Sequence, residues 1–218
     1  MSEQIDAIEM TIEKYARMQK DPFYFIEAIW GLVPQRVKPE YASLLLDCRK
    51  DGNYDRMRIS MFEKWDKTML TWQQVEIAHH VRKAINGGKK RISVKSGHGI
   101  GKSTILAMLI LWFLFCYVDA KVPVTAPTQT QMYDVLWSEI KKWIDRMPEE
   151  IRVKYDHTQD YVRITEHPDN WFARARTASK ERPEALAGLH ADFMFLVVDE
   201  ASGVPDEIFD AAKSALTG

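Results

Sequence analysis

Ser96-Gly97-His98-Gly99-Ile100-Gly101-Lys102-Ser103 is the stretch from which the architecture can be worked out. Before it stands a short alternating run, Arg91-Ile92-Ser93-Val94-Lys95, and after it an apolar run from Ile105 to Val118. The first pattern predicts a strand and the second a buried helix, so the glycines fall on a strand-to-helix turn. Gly97, Gly99 and Gly101 let the backbone wrap with its N–H groups inward, at the positive end of a helix, where a polyphosphate is stabilised. The spacing is that of G-x-x-x-x-G-K-[ST], with Ser96 in place of the first glycine. Lys102 then falls to the β- and γ-phosphates and the Ser103 hydroxyl to Mg2+. The plainer alternative is a glycine-rich turn with no ligand; Lys-Ser directly after the last glycine speaks against it.

Downstream, Phe195-Leu196-Val197-Val198-Asp199-Glu200 reads as an apolar strand that delivers two adjacent carboxylates at its C-terminal end. An open α/β sheet places its ligands there. Asp199 is the candidate for Mg2+, directly or through a water, and Glu200 the candidate general base on an attacking water. A kinase that passes phosphate to a substrate hydroxyl has no need of such a glutamate, so the pair favours hydrolysis. Upstream, Thr71-Trp72-Gln73-Gln74 offers amides that can donate to and accept from an adenine edge, from Gln73 or Gln74. The alternative is a helix start capped by Thr71, with Trp72 packing beside it. Arg174, Arg176, Lys180 and Arg182 form a basic stretch that could reach a neighbouring subunit's γ-phosphate or DNA phosphates, or could be a solvated hairpin face.

The rest of the chain frames these motifs. Its 218 residues carry 30 basic and 31 acidic side chains, a net charge of −1, so any nucleic-acid contact must be local. Cys48 and Cys116 have no metal-ligand neighbour at short spacing and read as reduced, buried thiols. The N-terminus lacks a basic and apolar leader. The apolar run of 14 residues would span ~21 Å as a helix, short of a ~30 Å bilayer core, so no membrane segment is expected. Helices are predicted over residues 3–19, from Pro22, over 40–49, 72–85, 102–118, 129–147 and 206–216. Strands are predicted over 91–95, 121–125 and 193–198, with a hairpin over 161–165 and 171–177. Alternating strands and helices imply an α/β fold with a mostly parallel central sheet flanked by helices.

Taken together, these segments resemble the large terminase subunit of tailed bacteriophages, the ATPase motor that packages DNA. The resemblance rests on Asp21-Pro22-Phe23-Tyr24-Phe25-Ile26 with Trp30-Gly31-Leu32, on Thr71-Trp72-Gln73-Gln74, on residues 96–103, and on Ala126-Pro127-Thr128 with Gln131, Val135-Leu136-Trp137 and Glu139-Ile140. Its most specific part is Pro183-Glu184-Ala185-Leu186 with Gly188-Leu189-His190-Ala191, then Val198-Asp199-Glu200-Ala201-Ser202-Gly203-Val204. It implies a P-loop NTPase of the catalytic-glutamate class that uses ATP and Mg2+. Residue by residue it implies Gln73 at adenine, and Ser96, Gly97, His98, Gly99, Ile100, Gly101, Lys102, Ser103 and Thr104 around the phosphates. Ser103 and Asp199 fall at the metal, Glu200 is the catalytic glutamate, and Lys95 approaches the γ-phosphate. The implied partners are double-stranded DNA, a portal protein, a small terminase subunit and like subunits in a ring (or a monomer for this chain alone), in the cytoplasm of an infected bacterium. The expected organisation is a helical segment over 1–70 and an ATPase core over 71–218, ending before the family's coupling motif and without its nuclease domain. Two other readings stand beside it: a helicase-like or remodelling ATPase, and a nucleotide-binding module without turnover.

Overall fold

Two short helices show how local chemistry sets boundaries here. Helix α1 (Ile12–Lys20) is capped by the Thr11 hydroxyl, which accepts from Lys14 N at 3.2 Å. It stops at Asp21, whose backbone is extended, because the residue before a proline is pushed out of the helical region. Helix α2 (Pro22–Trp30) starts on that proline, where its missing N–H costs nothing. The computed structural model describes residues 11–95, 97, 99–177 and 191–210. The chain divides into two compact units, Phe23–Lys102 and Met1–Pro22 with Ser103–Gly218.

Within Phe23–Lys102, β1 (Val33–Pro34) pairs in parallel with β2 (Met69–Leu70), and α3 (Ala42–Asp51) lies between them in sequence. Helix α3 ends on Gly52, left-handed at φ +74°, as a C-terminal cap requires. Helix α4 (Trp72–Ile85) begins on Thr71 in a reciprocal capping box with Gln74. A small core of Leu45, Cys48, Met57 and Phe62 fills this unit, and the Trp72 ring stacks on Phe62 at 5.0 Å. The strand predicted over residues 91–95 does not form: those residues make no ladder, and Val94 is 44% exposed. An alternating pattern over five residues supplies side-chain periodicity but not a partner, and a strand needs the partner.

In the other unit, α5 (Lys102–Cys116) is the core. Ile105, Met108, Leu109, Leu111, Trp112, Leu114 and Cys116 are all fully buried, so the helix is covered on every side. Its last carbonyls are met by α1: Tyr15 Oη and Gln19 Nε2 donate to Cys116 O at 2.9 and 2.7 Å. Trp112 Nε1 donates in return to Met18 O at 2.7 Å. After α5 come β3 (Lys121–Ala126), a π-helical segment (Thr130–Trp137), α6 (Ser138–Asp145) and α7 (Glu149–Arg152). Strands β4 (Tyr155–His157), β5 (Tyr161–Ile164), β6 (Phe172–Thr177) and β7 (Val197–Val198) complete a five-stranded sheet in the order β4-β5-β6-β3-β7.

Among the described residues the sheet is parallel-rich but mixed. Both neighbours of β3 run parallel to it, whereas β4, β5 and β6 form an antiparallel meander. The hairpin over residues 161–177 was legible and simply enlarges the antiparallel half. Strand β7 is shorter than the apolar run 193–198, which is joined to β3 earlier only by the Lys121–Met194 bridge. The helix predicted over 129–147 forms, but its first part is π-helical. Residues 206–210 are helical, and the remainder of the helix predicted there lies outside the described residues. Both cysteines are free and buried, and among the described residues no helix is long and apolar enough to cross a membrane.

Candidate active site

The glycine loop and the N-terminus of α4 are tied together. Gln74 is buried and its amide is used at both ends: Oε1 accepts from Thr71 N at 2.9 Å, and Nε2 donates to Gly101 O at 3.0 Å. Gly99 and Gly101 are left-handed, at φ +77° and +78°. At φ +78° a side chain on Gly101 is strained, and its Cβ would stand 2.3 Å from Gln74 Nε2, so the Gln74 amide would have to move. Lys102 Nζ donates to Gly97 O at 3.1 Å, which curls the side chain back over the loop. An ammonium has three donors and can add phosphate oxygens to such a bond. Of the two adjacent glutamines, Gln74 is thus committed to the backbone, while Gln73 is the half-buried neighbour at the same helix start. Lys95 is exposed just before the loop; Ser96 and His98 lie outside the described residues.

Ser103 and Thr104 open α5. The Thr104 hydroxyl donates to Glu139 Oε1 at 2.7 Å, so its proton is spent inside the protein. Glu139 gathers three donors, Thr104, Lys142 Nζ at 3.0 Å and Trp143 Nε1 at 2.8 Å. Burial raises its pKa, but the hydrogen bonds from Thr104, Lys142 and Trp143 outweigh burial and hold the carboxyl below its ordinary range. The resemblance includes Glu139-Ile140 but gives Glu139 no role; its contact with Thr104 is fixed by α6 packing beside the start of α5.

The two carboxylates sit where the sheet ends. Asp199 N donates to Thr125 O at 2.9 Å, which continues the β3–β7 pairing by one residue, and Asp199 is 6% exposed. Asp199 Oδ1 accepts from Glu200 N at 3.0 Å. Glu200 then adopts φ +48°, ψ +48°, a left-handed conformation that costs a non-glycine residue about 1–3 kcal/mol. The turn 201–203 follows closely on the loop after β3: a Cβ on Gly203 would lie 2.7 Å from Pro127 Cγ. Thr125 Oγ1, on the same strand end, is buried with no hydrogen-bond partner among the described residues. A buried carboxylate at a strand terminus and a serine hydroxyl at a helix start are hard oxygen donors of the type Mg2+ takes.

The basic stretch divides. Arg174 and Arg176 alternate on one face of β6, and β5 brings Arg163 and Tyr161 to the same face. The guanidinium carbons of Arg163 and Arg174 lie 4.3 and 4.9 Å from the Tyr161 ring centroid. Burial, and then Arg174, hold the Arg176 pKa below its ordinary value. Arg163 and Tyr161 were not among the residues the sequence singled out; the hairpin register joins them to Arg174. Arg182 lies outside the described residues.

Comparison with known proteins adds two findings. The family model for the helicase domain of the RNA cytidine acetyltransferase NAT10/TcmA matches residues 93–215. The chain is similar to a probable terminase large subunit of Enterobacteria phage P7, with 32% identity over 152 residues. That alignment covers 68% of this chain and 30% of the phage protein, so the chain spans under a third of that relative's length.

Proposed function

Because the chain belongs to the phage large terminase subunits, and over residues 93–215 to the P-loop-related family of the NAT10/TcmA helicase domain, we propose that it is the Mg2+-dependent ATPase part of a motor that packages double-stranded DNA. In this reading Gln73 meets the adenine edge, and the backbone of residues 96–104 receives the phosphates. Lys102 sets its ammonium among the β- and γ-phosphate oxygens, and Lys95 adds a second cation toward the γ-phosphate. Ser103 and Asp199 would hold Mg2+, which supplies charge neutralisation on the phosphate oxygens. Glu200 accepts a proton from the attacking water as its oxygen bonds to the γ-phosphorus and the bond to the β–γ bridging oxygen breaks, releasing ADP and phosphate.

Arg174, Arg176 and Arg182 are assigned to DNA phosphates or to the nucleotide of a neighbouring subunit. Further partners are a portal protein, a small terminase subunit and like subunits in a ring, in the cytoplasm of an infected bacterium. The observation that carries the hydrolytic reading is Glu200, a strained residue beside a buried aspartate at the end of the sheet. Steady-state ATP hydrolysis with Mg2+ tests it on the unaltered chain, Glu200→Gln and Lys102→Ala. The expected result is turnover lost by at least ~100-fold in both variants, with ATP still bound by Glu200→Gln. Tight binding without any turnover by the unaltered chain would replace the motor with a nucleotide-binding module. The match to a helicase domain favours a second reading, a helicase-like ATPase. Stimulation by a forked nucleic-acid substrate, and none by a procapsid portal, would select it.

A further inference from the structure

We infer that the β5–β6 face docks the phosphate backbone of double-stranded DNA, with Arg163 and Arg174 as contacts and Tyr161 as the residue that orients them. The inference rests on the reading that this chain handles duplex DNA. It adds Arg163 and Tyr161 to that reading and chooses between the two roles left to Arg174. In the antiparallel register Tyr161 stands opposite Arg174 and Arg163 opposite Phe172, and all four side chains share a face with Arg176. The guanidinium carbons of Arg163 and Arg174 lie 4.3 and 4.9 Å from the Tyr161 ring centroid, and the Phe172 ring meets it edge-on at 5.4 Å. The Tyr161 ring is thus spent on its own chain, which leaves guanidiniums rather than a base-stacking platform to meet a ligand.

What these guanidiniums lack is an anion. Arg163, Arg174 and Arg176 are all partly exposed, and among the described residues neither Arg163 nor Arg174 makes an ion pair. Asp156 stands opposite Arg163 across the β4–β5 pair without bridging to it, and the Asp160 carboxylate accepts from Tyr133 Oη at 3.1 Å. Arg174 is, after burial, a cause of the lowered Arg176 pKa, so the like charges feel one another. An anion laid along them relieves that repulsion through charge-assisted hydrogen bonds. The length of the row selects the anion. From the level of Arg163 to Arg176 it runs about 13 Å along the sheet, at about 3.3 Å per residue. One γ-phosphate takes one arginine finger. A DNA strand passes a phosphate about every 3.4 Å of its axis, so a row of this length meets several. Contacts of this kind fix position on a duplex and carry no sequence preference.

The test is fluorescence anisotropy of two short labelled duplexes of unlike sequence, titrated with the unaltered chain and each variant between about 50 and 200 mM salt, with a thermal melt of each protein. One phosphate contact contributes about 0.9 to the slope of log affinity against log salt, a factor of about eight at 0.1 M. Arg163→Gln and Arg174→Gln should each lower the slope by about 0.9 and weaken both duplexes about eightfold. Arg163→Lys keeps the charge and should keep the slope, which a purely packing role of the guanidinium would not allow. Tyr161→Leu should bind about threefold more weakly, and Tyr161→Phe, which retains the ring, should restore binding. An unchanged slope in both glutamine variants would overturn the proposal, as would a loss confined to one duplex, the mark of base reading. ATP turnover that falls while DNA binding stays intact would give the row to a neighbouring subunit's nucleotide and overturn it too. Should the unaltered chain bind neither duplex, the DNA-handling reading itself fails and this proposal with it.

Discussion

Replacing Glu76 with alanine should destabilise the Phe23–Lys102 unit by about 3 kcal/mol, from the loss of a buried ion pair. Glu76 is 6% exposed and accepts Arg49 Nε at 2.9 Å, Arg49 Nη2 at 2.7 Å and Tyr54 Oη at 3.0 Å. The pair is bidentate, and the hydrogen bond to Glu76 is the largest cause of the raised Arg49 pKa. Deleting one partner of such a pair costs about 3–5 kcal/mol, because the other charge stays behind without compensation. Here the lower figure applies. The Arg49 side chain is 26% exposed and water can reach it, and Tyr54 keeps its contact with His80 Nε2 at 3.1 Å. Urea unfolding followed by tryptophan fluorescence reads the change directly. In a melt, about 3 kcal/mol corresponds to a fall of about 6–12 °C for a chain of this size. Arg49→Met with Glu76→Leu should recover most of the loss, since a buried pair is close to break-even with apolar groups of similar volume. A cost under about 1 kcal/mol for Glu76→Ala would mean that the pair behaves as a solvated surface bridge, and the argument from burial would fall.

Further expectations follow from the same geometry. Burial first, and then Arg49, push the His79 pKa down to about 4, and burial also lowers His80. The unfolded chain, with ordinary histidines, takes up more protons as pH falls. Stability should therefore be full above about pH 6.5 and decline toward pH 4, with a urea midpoint that stays flat over this range counting against it. Glu200→Val should be less stable than Glu200→Gly by about 2 kcal/mol in thermal unfolding, because only glycine adopts φ +48° without strain. The reverse order would remove the strain argument. Gly203→Ala should cost about 1–3 kcal/mol, since its methyl would press on the Pro127 ring, which has no flexible end to yield. An unchanged melting midpoint in that variant would show that the turn 201–203 can shift freely.

Much of this was local and so could be read without coordinates. Asp21-Pro22 ends one helix and starts the next because proline restricts the residue before it and lacks an N–H. Thr71 with Gln74 begins α4 through two hydrogen bonds three residues apart, and the observed helix, Trp72–Ile85, matches the predicted one. The apolar run after the glycines could only be buried, and α5 is. The His167–Asn170 turn between two alternating runs folds back into the β5–β6 pair.

What the sequence left open depends on partners far away along the chain. Residues 91–95 carry the alternation of a strand, yet side-chain period does not supply hydrogen-bonding neighbours, and they form no ladder. The choice between Gln73 and Gln74 could not be made from two identical amides side by side; the approach of Gly101 commits one of them. The contact that gives Glu139 a role appeared when α6 brought it to Thr104, and Arg163 became visible when the β5–β6 register set it beside Tyr161 and Arg174. The left-handed turn at Glu200 has no signature in a run of apolar residues followed by Asp-Glu. Periodicity and capping chemistry act over three or four residues and determined the elements, whereas direction, register and the commitment of each polar group were decided by tertiary packing.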